Sequence, residues 1–513
     1  MTLDPIEIEN QLRNQGDGRN QFLHTREVAA LLESLGYNDR SVKELGYSNI
    51  FSFASYLFLR LQSSQDSGEK GSIRRTKPSL LKEFPLALGR FSLGLAYAIP
   101  WMALLTLEYL KPDALNVAPE LGGALSLALI ASLVTTGGFI QMISRAGGFY
   151  YGLKEPALAR HICMKLLNVG LTNSLLLGLL GMIVGAYFHL FAAPYLLLAA
   201  INFVALSLLW MFCSVLSVQS IGWCVLPVFF ISAVMCGCIK ILARAGNTLI
   251  LTIWPVTAVL CALACVLLGF RRAERKAPAA RDSARPRFGI VAISLVPFFL
   301  YGTFYFSFLF ADRLAAGSAV PWVSGLSFGI DSAYKKGMDL ALLAFLITAA
   351  LVECLGHSFL RYWHRLAAEL PPTNREELVT RLHRRHWRVI AAILLTFVSL
   401  ALAAWLAFSA VSGAVQSTQF LQTAVLGGLG YLMLSIALLE IVILSSINSI
   451  SFAMMAAALG LGVNLITGYA LSHLWGVQYA AAGLLVGSVV VLWTCNAAVR
   501  HVLRRPDYHY SIS

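Results

Sequence analysis

The sequence predicts an all-α polytopic membrane protein, with about twelve transmembrane helices in two halves and a small helical domain ahead of them. Three observations carry this expectation. Of 513 residues, 58% are hydrophobic and only 13% are charged, against roughly 25% charged in soluble chains. A soluble chain of this length needs a polar surface that so few charges cannot build, whereas lipid-facing helices need none. From residue 86 onward, apolar runs recur that are each long enough to cross a hydrocarbon core of about 30 Å. Lysine and arginine also concentrate in alternate connections between those runs, as expected of a chain threaded back and forth through a bilayer.

The first 84 residues are polar and form a separate region. The opening stretch has no apolar core of the signal-peptide kind, so no cleaved leader is expected. Within TREVAALLESLGY, Thr25 is a natural N-cap and Gly36 a C-cap glycine. A second helix follows Ser48, with Ile50, Phe51, Phe53, Leu57, Phe58 and Leu61 on one apolar face. The stretch SSQDSGEKGSIRRTKPS then reads as a linker. A helical bundle on the cytosolic side is expected, with a docking surface for a partner as the sharper reading.

Spans are expected near 86–110, 119–143, 169–190, 193–216, 220–241, 247–270, 288–312, 333–358, 387–411, 418–444, 447–471 and 476–499. The domain plan is therefore 1–84, a first six-helix lobe over 85–270, a basic linker over 271–287, a second lobe over 288–505 and a tail over 506–513. The linker carries seven basic residues against two acidic, and 361–388 carries seven more. Arg145, Lys154, Arg160 and Lys165 follow span two, and Arg500, Arg504 and Arg505 follow the last span. These segments fall on one side, which places both termini in the cytosol.

The two lobes look like repeats. Arg90-Phe91 opens span one and Arg287-Phe288 opens span seven, and each pair is followed by a proline ten residues after its arginine, Pro100 and Pro297. Thr106 and Thr303 lie six residues past those prolines. Proline removes a backbone hydrogen bond and bends a helix, so matching prolines in two halves suit the moving elements of a transporter. An even number of spans per lobe gives both repeats the same orientation.

Ionisable side chains inside a membrane are costly and become candidates for a pathway. Glu353 in span eight and Glu440 in span ten are the clearest. Asp339 precedes Glu353 by fourteen residues, which places the two within about 40° on one helix face. Asp312 and Arg313 close span seven, and Glu108 ends span one. An acidic interior of this kind suits a cationic or heavily hydroxylated substrate, or protons. Glu108, Asp312 and Asp339 have an alternative seat in the outer interface. Gln141, Asn168, Asn173, Asn448 and Asn464 suit either sugar hydroxyls or helix-to-helix hydrogen bonds.

Other chemistry finds little support. The nine cysteines sit almost entirely in apolar runs without metal-ligand spacing. His383 and His386 in LHRRHWR lie among arginines that repel cations, so no metal and no cofactor is expected. There is no G-x-x-x-x-G-K-[ST] loop and no acidic or Ser-His-Asp catalytic set, so the chain is not read as an enzyme. The net charge of +13 resides in loops that orient the helices, and no nucleic-acid partner is expected.

Three stretches resemble a known family: ISRAGGFYYGLKEPALARHI, with Ser144-Arg145, Tyr151, Lys154 and Glu155; FYFSFLFADRL, ending on Asp312-Arg313; and the run from Tyr334 through Met338-Asp339 to Glu353, Phe359, Arg361 and Tyr362. They are similar to segments of the multidrug/oligosaccharidyl-lipid/polysaccharide flippase superfamily, which includes the MATE-like exporters. The likeness is greatest to its Pel exopolysaccharide transporter (PelG-type) branch. It implies two lobes rocking about a central cavity, a polysaccharide or oligosaccharide substrate, and a glycosyltransferase partner reached through residues 1–84. The driving force would be an ion gradient or polymer extension. The rival readings are a cation-coupled exporter of small molecules or lipids, with Glu353 and Glu440 as ion sites, and a membrane scaffold that transports nothing.

Overall fold

The computed structural model describes residues 39–44, 46–66, 119–242, 246–276, 288–320, 332–369, 375–412 and 417–504, with scattered positions among 25–32 and 89–102. Every regular element in them is a helix. Ten helices are long and apolar enough to cross a membrane, and one bent pair makes an eleventh. The span expected near 86–110 lies mostly outside the described residues. The chain is a multi-pass helical membrane protein.

The described residues fall into two compact units. One comprises residues up to 79 together with 362–378. It contains α1 (Asp39–Glu44) and α2 (Ile50–Asp66). Its core is Val28, Ala29, Leu32, Val42, Ile50, Phe53, Ala54 and Leu57, with Tyr47 and Phe58 packed against it. Asp39 fixes the start of α2, because its Oδ1 accepts the Ile50 N–H at 2.8 Å. An N-terminal N–H has no intrahelical partner and takes a carboxylate readily.

The other unit holds the membrane helices. The first half contributes α3 (Pro119–Gly152), α4 (Pro156–Tyr187), α5 (Ala193–Val218), α6 (Val225–Leu242) and α7 (Asn247–Lys276). The second contributes α8 (Phe288–Ser294), α9 (Val296–Ala319), α10 (Ser332–Glu369), α11 (Arg375–Ser412), α12 (Thr418–Ser446), α13 (Ile450–Trp475) and α14 (Ala480–Arg504). In the first half α3 packs on α4 and α5, and α7 packs on α5 and α6. In the second, α13 packs on α9 and α14, and α14 packs on α12.

Two devices join helices where lipid offers no hydrophobic drive. The first is close approach. Gly483 and Gly487, a G-x-x-x-G pair in α14, lie against Gly468 and Gly460 of α13, where a Cβ on Gly487 would stand 2.8 Å from the Gly460 carbonyl oxygen. The second is neutral hydrogen bonding. Trp210 Nε1 donates to Ser132 Oγ at 2.9 Å, Ser214 Oγ to the Ile140 carbonyl at 2.9 Å, and Asn464 Nδ2 to the Phe308 carbonyl at 3.1 Å.

The structure places the helix-bend candidates. Pro297 lies in the first turn of α9, and the α8–α9 axis bends by 49° at the break beside it. Pro297 offers no N–H to the carbonyl four residues back, so the helix cannot run on unbroken there. Pro100 is helical and buried.

Candidate functional site

Among the described residues, the buried charges sit in the second half. Among the described residues, the first half buries serines, threonines, Asn202 and Gln219 but no Asp, Glu, Lys, Arg or His. The second half buries Asp312, Arg313, Asp339, His386 and Glu440.

Asp312 and Arg313 do not end their helix. The helix continues to Ala319, so the pair lies one to two turns inside it, and Asp312 is wholly buried. The apolar run stops at the pair while the hydrogen-bonded backbone does not. Arg313 is the hub. Its Nη2 donates to Asp339 Oδ1 of α10 at 3.2 Å, and its Nη1 donates to the Tyr431 hydroxyl of α12 at 3.4 Å. Nη1 lies 3.7 Å from Asp312 Oδ1, and the guanidinium sits over the Phe310 ring at 5.2 Å. The Tyr334 hydroxyl donates to Asp312 Oδ2 at 2.7 Å. Phe345 stacks on Tyr431 at 5.1 Å and closes one side. Asp339 is likewise buried in the protein.

Three helices thus converge on one guanidinium flanked by two carboxylates. Burying such ions costs several kcal/mol each, and replacing them with apolar side chains is often neutral or stabilising. Stability alone does not account for their presence in a bilayer.

A second buried polar contact lies elsewhere on α12. His386 Nε2 meets Glu440 Oε1 at 3.0 Å, both side chains are buried, and the Phe359 ring packs on the imidazole at 5.9 Å. Glu440 Oε2 has no hydrogen-bond partner among the described residues. His386 was expected in a basic loop. It lies in α11, which starts at Arg375, and it turns inward with Leu382, while His383, Arg384, Trp387 and Arg388 face outward.

Glu353 is half-buried on α10 and within electrostatic range of Tyr301 and Tyr305 of α9. It falls between the two clusters along α10: Asp339 is about 21 Å away at 1.5 Å rise per residue, and Phe359 about 9 Å. Glu108 lies outside the described residues. No group of three or more His, Cys, Asp or Glu suited to a metal occurs among the described residues. His386, Tyr334 and Tyr431 are the site residues that sequence reasoning did not assign a role.

The two halves touch beside this site. A Cβ on Gly302 of α9 would overlap the Gly137 carbonyl of α3, and one on Gly137 would stand 2.8 Å from the Gly302 carbonyl. Phe139 meets Phe299 edge-on at 5.2 Å. Towards the basic end, Arg145 of α3 donates to Asn448 Oδ1 at 2.8 Å and lies over the Phe298 ring at 5.4 Å. Asn448, in the α12–α13 turn, holds a left-handed φ of 59°, a conformation that asparagine tolerates. Gly94 lies against Ala350 of α10, leaving 2.5 Å for a Cβ.

No protein-family model and no curated relative matches the chain. Solved structures do. An outward-facing multidrug-resistance MATE family transporter of the MOP superfamily superposes with a TM-score of 0.56 at 13% identity, over 84% of this chain and 97% of that one. The Vibrio cholerae MATE transporter VcmN aligns with a TM-score of 0.56 at 16% identity and the same coverage. Its bent form gives 0.54. The chain has the MATE transporter fold.

Proposed function

We propose that this chain is a membrane transporter that exports a polysaccharide or oligosaccharide by alternating access of its two lobes, with both termini in the cytosol. The observation that supports it is the concentration of buried charge between α9, α10, α11 and α12 of a MATE-like fold, where packing has no need of it. Lobe contact near the basic end, through Gly137–Gly302 and Arg145–Asn448, suits a state closed on that side and open on the other.

The substrate class comes from the Pel-like stretches, two of which supply the Asp312-Arg313, Tyr334 and Asp339 cluster. Arg313 offsets part of the acidic charge, so the interior suits a hydroxyl-rich or weakly cationic polymer better than a strongly cationic one. Residues 1–84 are proposed to dock a glycosyltransferase. Phe51 and Leu59, eight residues apart on one side of α2, stand exposed as apolar contacts for it.

A second reading is a cation-coupled exporter of small molecules. His386–Glu440 favours it, because a buried histidine–carboxylate pair with one open carboxylate oxygen is a natural proton-exchanging unit.

The test is polysaccharide export in a deletion strain complemented with wild type, Glu353→Gln or Glu440→Gln. Lost secretion that wild type restores and normally expressed Gln variants do not supports polymer export through these groups. Unchanged polysaccharide in the deletion strain overturns it. Proton-driven uptake of small cations by proteoliposomes would then carry the second reading.

A further inference from the structure

One basic cluster takes no part in the buried network. A cavity of about 650 Å³ opens between the basic ends of α11 and α14, lined by Val379, Thr380, His383, Arg384, Arg500 and Leu503. Arg384 and Arg500 are exposed and make no ion pair or hydrogen bond among the described residues. His383 Nε2 accepts from the Trp387 indole N–H at 2.9 Å, which leaves its Nδ1–H as a donor. The cavity thus presents two guanidinium forks, an imidazole N–H and a hydroxyl above the apolar Val379 and Leu503.

The two arginines end lipid-facing stripes. Leu395 and Leu402, exposed at 71% and 57%, follow Arg384 by eleven and eighteen residues, which places all three within about 20° on one face of α11. On α14, Trp493 and Val489, exposed at 73% and 47%, precede Arg500 by seven and eleven residues, again within about 20° on each side. An occupant of this cavity therefore has its polar part at the arginines while the surface beneath stays apolar for the length of the helices. The loop charges assign this end to the cytosol, where the leaflet carries anionic lipid.

We infer that the α11–α14 cavity is a binding site for an anionic phospholipid of the cytosolic leaflet, with Arg384 and Arg500 holding the phosphate, His383 adding a further donor, and the acyl chains lying along the Leu395–Leu402 and Val489–Trp493 stripes. Planar guanidinium forks match phosphate oxygens two at a time. A soluble phosphate would gain nothing from the stripes, so the lipid is the favoured source.

Native mass spectrometry of the full chain in detergent tests this with phosphatidylglycerol, with phosphatidylcholine of the same acyl chains, and with sodium phosphate alone. The expected result is retention of phosphatidylglycerol at least tenfold more strongly than phosphatidylcholine. Arg384→Gln with Arg500→Gln should erase that preference, while Arg271→Gln with Arg275→Gln, which removes equal charge from the end of α7, should leave it intact. Equal loss in both double variants means diffuse attraction and overturns the site. Absence of a preference, or displacement of phosphatidylglycerol by millimolar sodium phosphate, overturns the lipid assignment. All four arginines are exposed, so folding is not at stake, and unchanged melting temperatures would verify it.

Discussion

The Gly137–Gly302 crossing gives the most direct test of lobe movement. In Gly137→Ala the new Cβ would overlap the Phe306 ring and stand 2.8 Å from the Gly302 carbonyl oxygen, while ordinary contact begins at 3.4 Å. The Phe306 ring can turn aside but the Gly302 backbone cannot, so the helices must separate by about 0.6 Å. Overpacking of this kind costs about 1–3 kcal/mol. If the contact exists only in the state closed at the basic end, the whole cost falls on that state and its population drops by about 5- to 150-fold relative to the other. Cysteines replacing Arg145 and Asn448, which touch across the lobes at 2.8 Å, report that state by cross-linking in a background cleared of the nine native cysteines. Cross-linking by a short bis-thiol reagent should fall several-fold in Gly137→Ala. Full cross-linking with a lowered melting temperature would refute the reasoning, because the crossing would then be static packing common to both states.

The other expectations are local. His386→Leu leaves Glu440 buried without its partner and should lower stability by about 3–5 kcal/mol, read by thermal unfolding in detergent. Adding Glu440→Leu should recover most of that loss, and failure to recover would mean that His386 acts by packing alone. Tyr334→Phe deletes the 2.7 Å donor to Asp312 and should cost about 1–3 kcal/mol; an unchanged melting temperature would argue against an ionised Asp312. Phe53→Ala empties the centre of the N-terminal core at a cost of about 3–5 kcal/mol. It should expose residues 1–84 to protease while leaving the melting of the membrane helices unchanged, and a falling membrane-helix melt would tie the two units energetically.

The membrane helices were legible because lipid imposes a single rule, a long apolar run. The expected spans from 119 to 499 each find a helix. Their ends were legible only where hydropathy and backbone stop together. The helix expected to begin at 169 begins at Pro156, and the one expected at 387 begins at Arg375. In both, charged turns continue the hydrogen-bonded backbone beyond the hydrocarbon. Hydropathy measures where lipid is, whereas a helix ends where its backbone bonding ends. Nothing in the residues near 156 or 375 marks the entry into lipid and the start of the helix as different events, apart from Pro156 itself, which suits a first turn.

The same distinction explains what was missed at the site. Asp312 and Arg313 looked terminal because the apolar run stops at them, and His386 looked like part of a loop because arginines surround it. A helix carrying alternate charges through an interface turns some of them inward, and the spacing of LHRRHWR left the inward one open, since His383 and His386 are a turn apart and only one reaches Glu440. Tyr431 had no mark of its own, because an aromatic in an apolar run reads as core until a guanidinium is found beside it. The partner of a buried charge is set by which helices cross, and that follows from glycine contacts and turn geometry scattered over the whole chain. Of the six ionisable candidates, Glu353, Glu440, Asp339, Asp312 and Arg313 lie in the second lobe, and Glu108, of the first, lies outside the described residues. The described residues of the first lobe bury no charge, so coupling through the buried charges that are described falls on α9 to α12. Neutralising substitutions there should alter coupling, whereas polar-to-apolar changes in the first lobe, such as at Ser132 or Ser214, should alter stability alone.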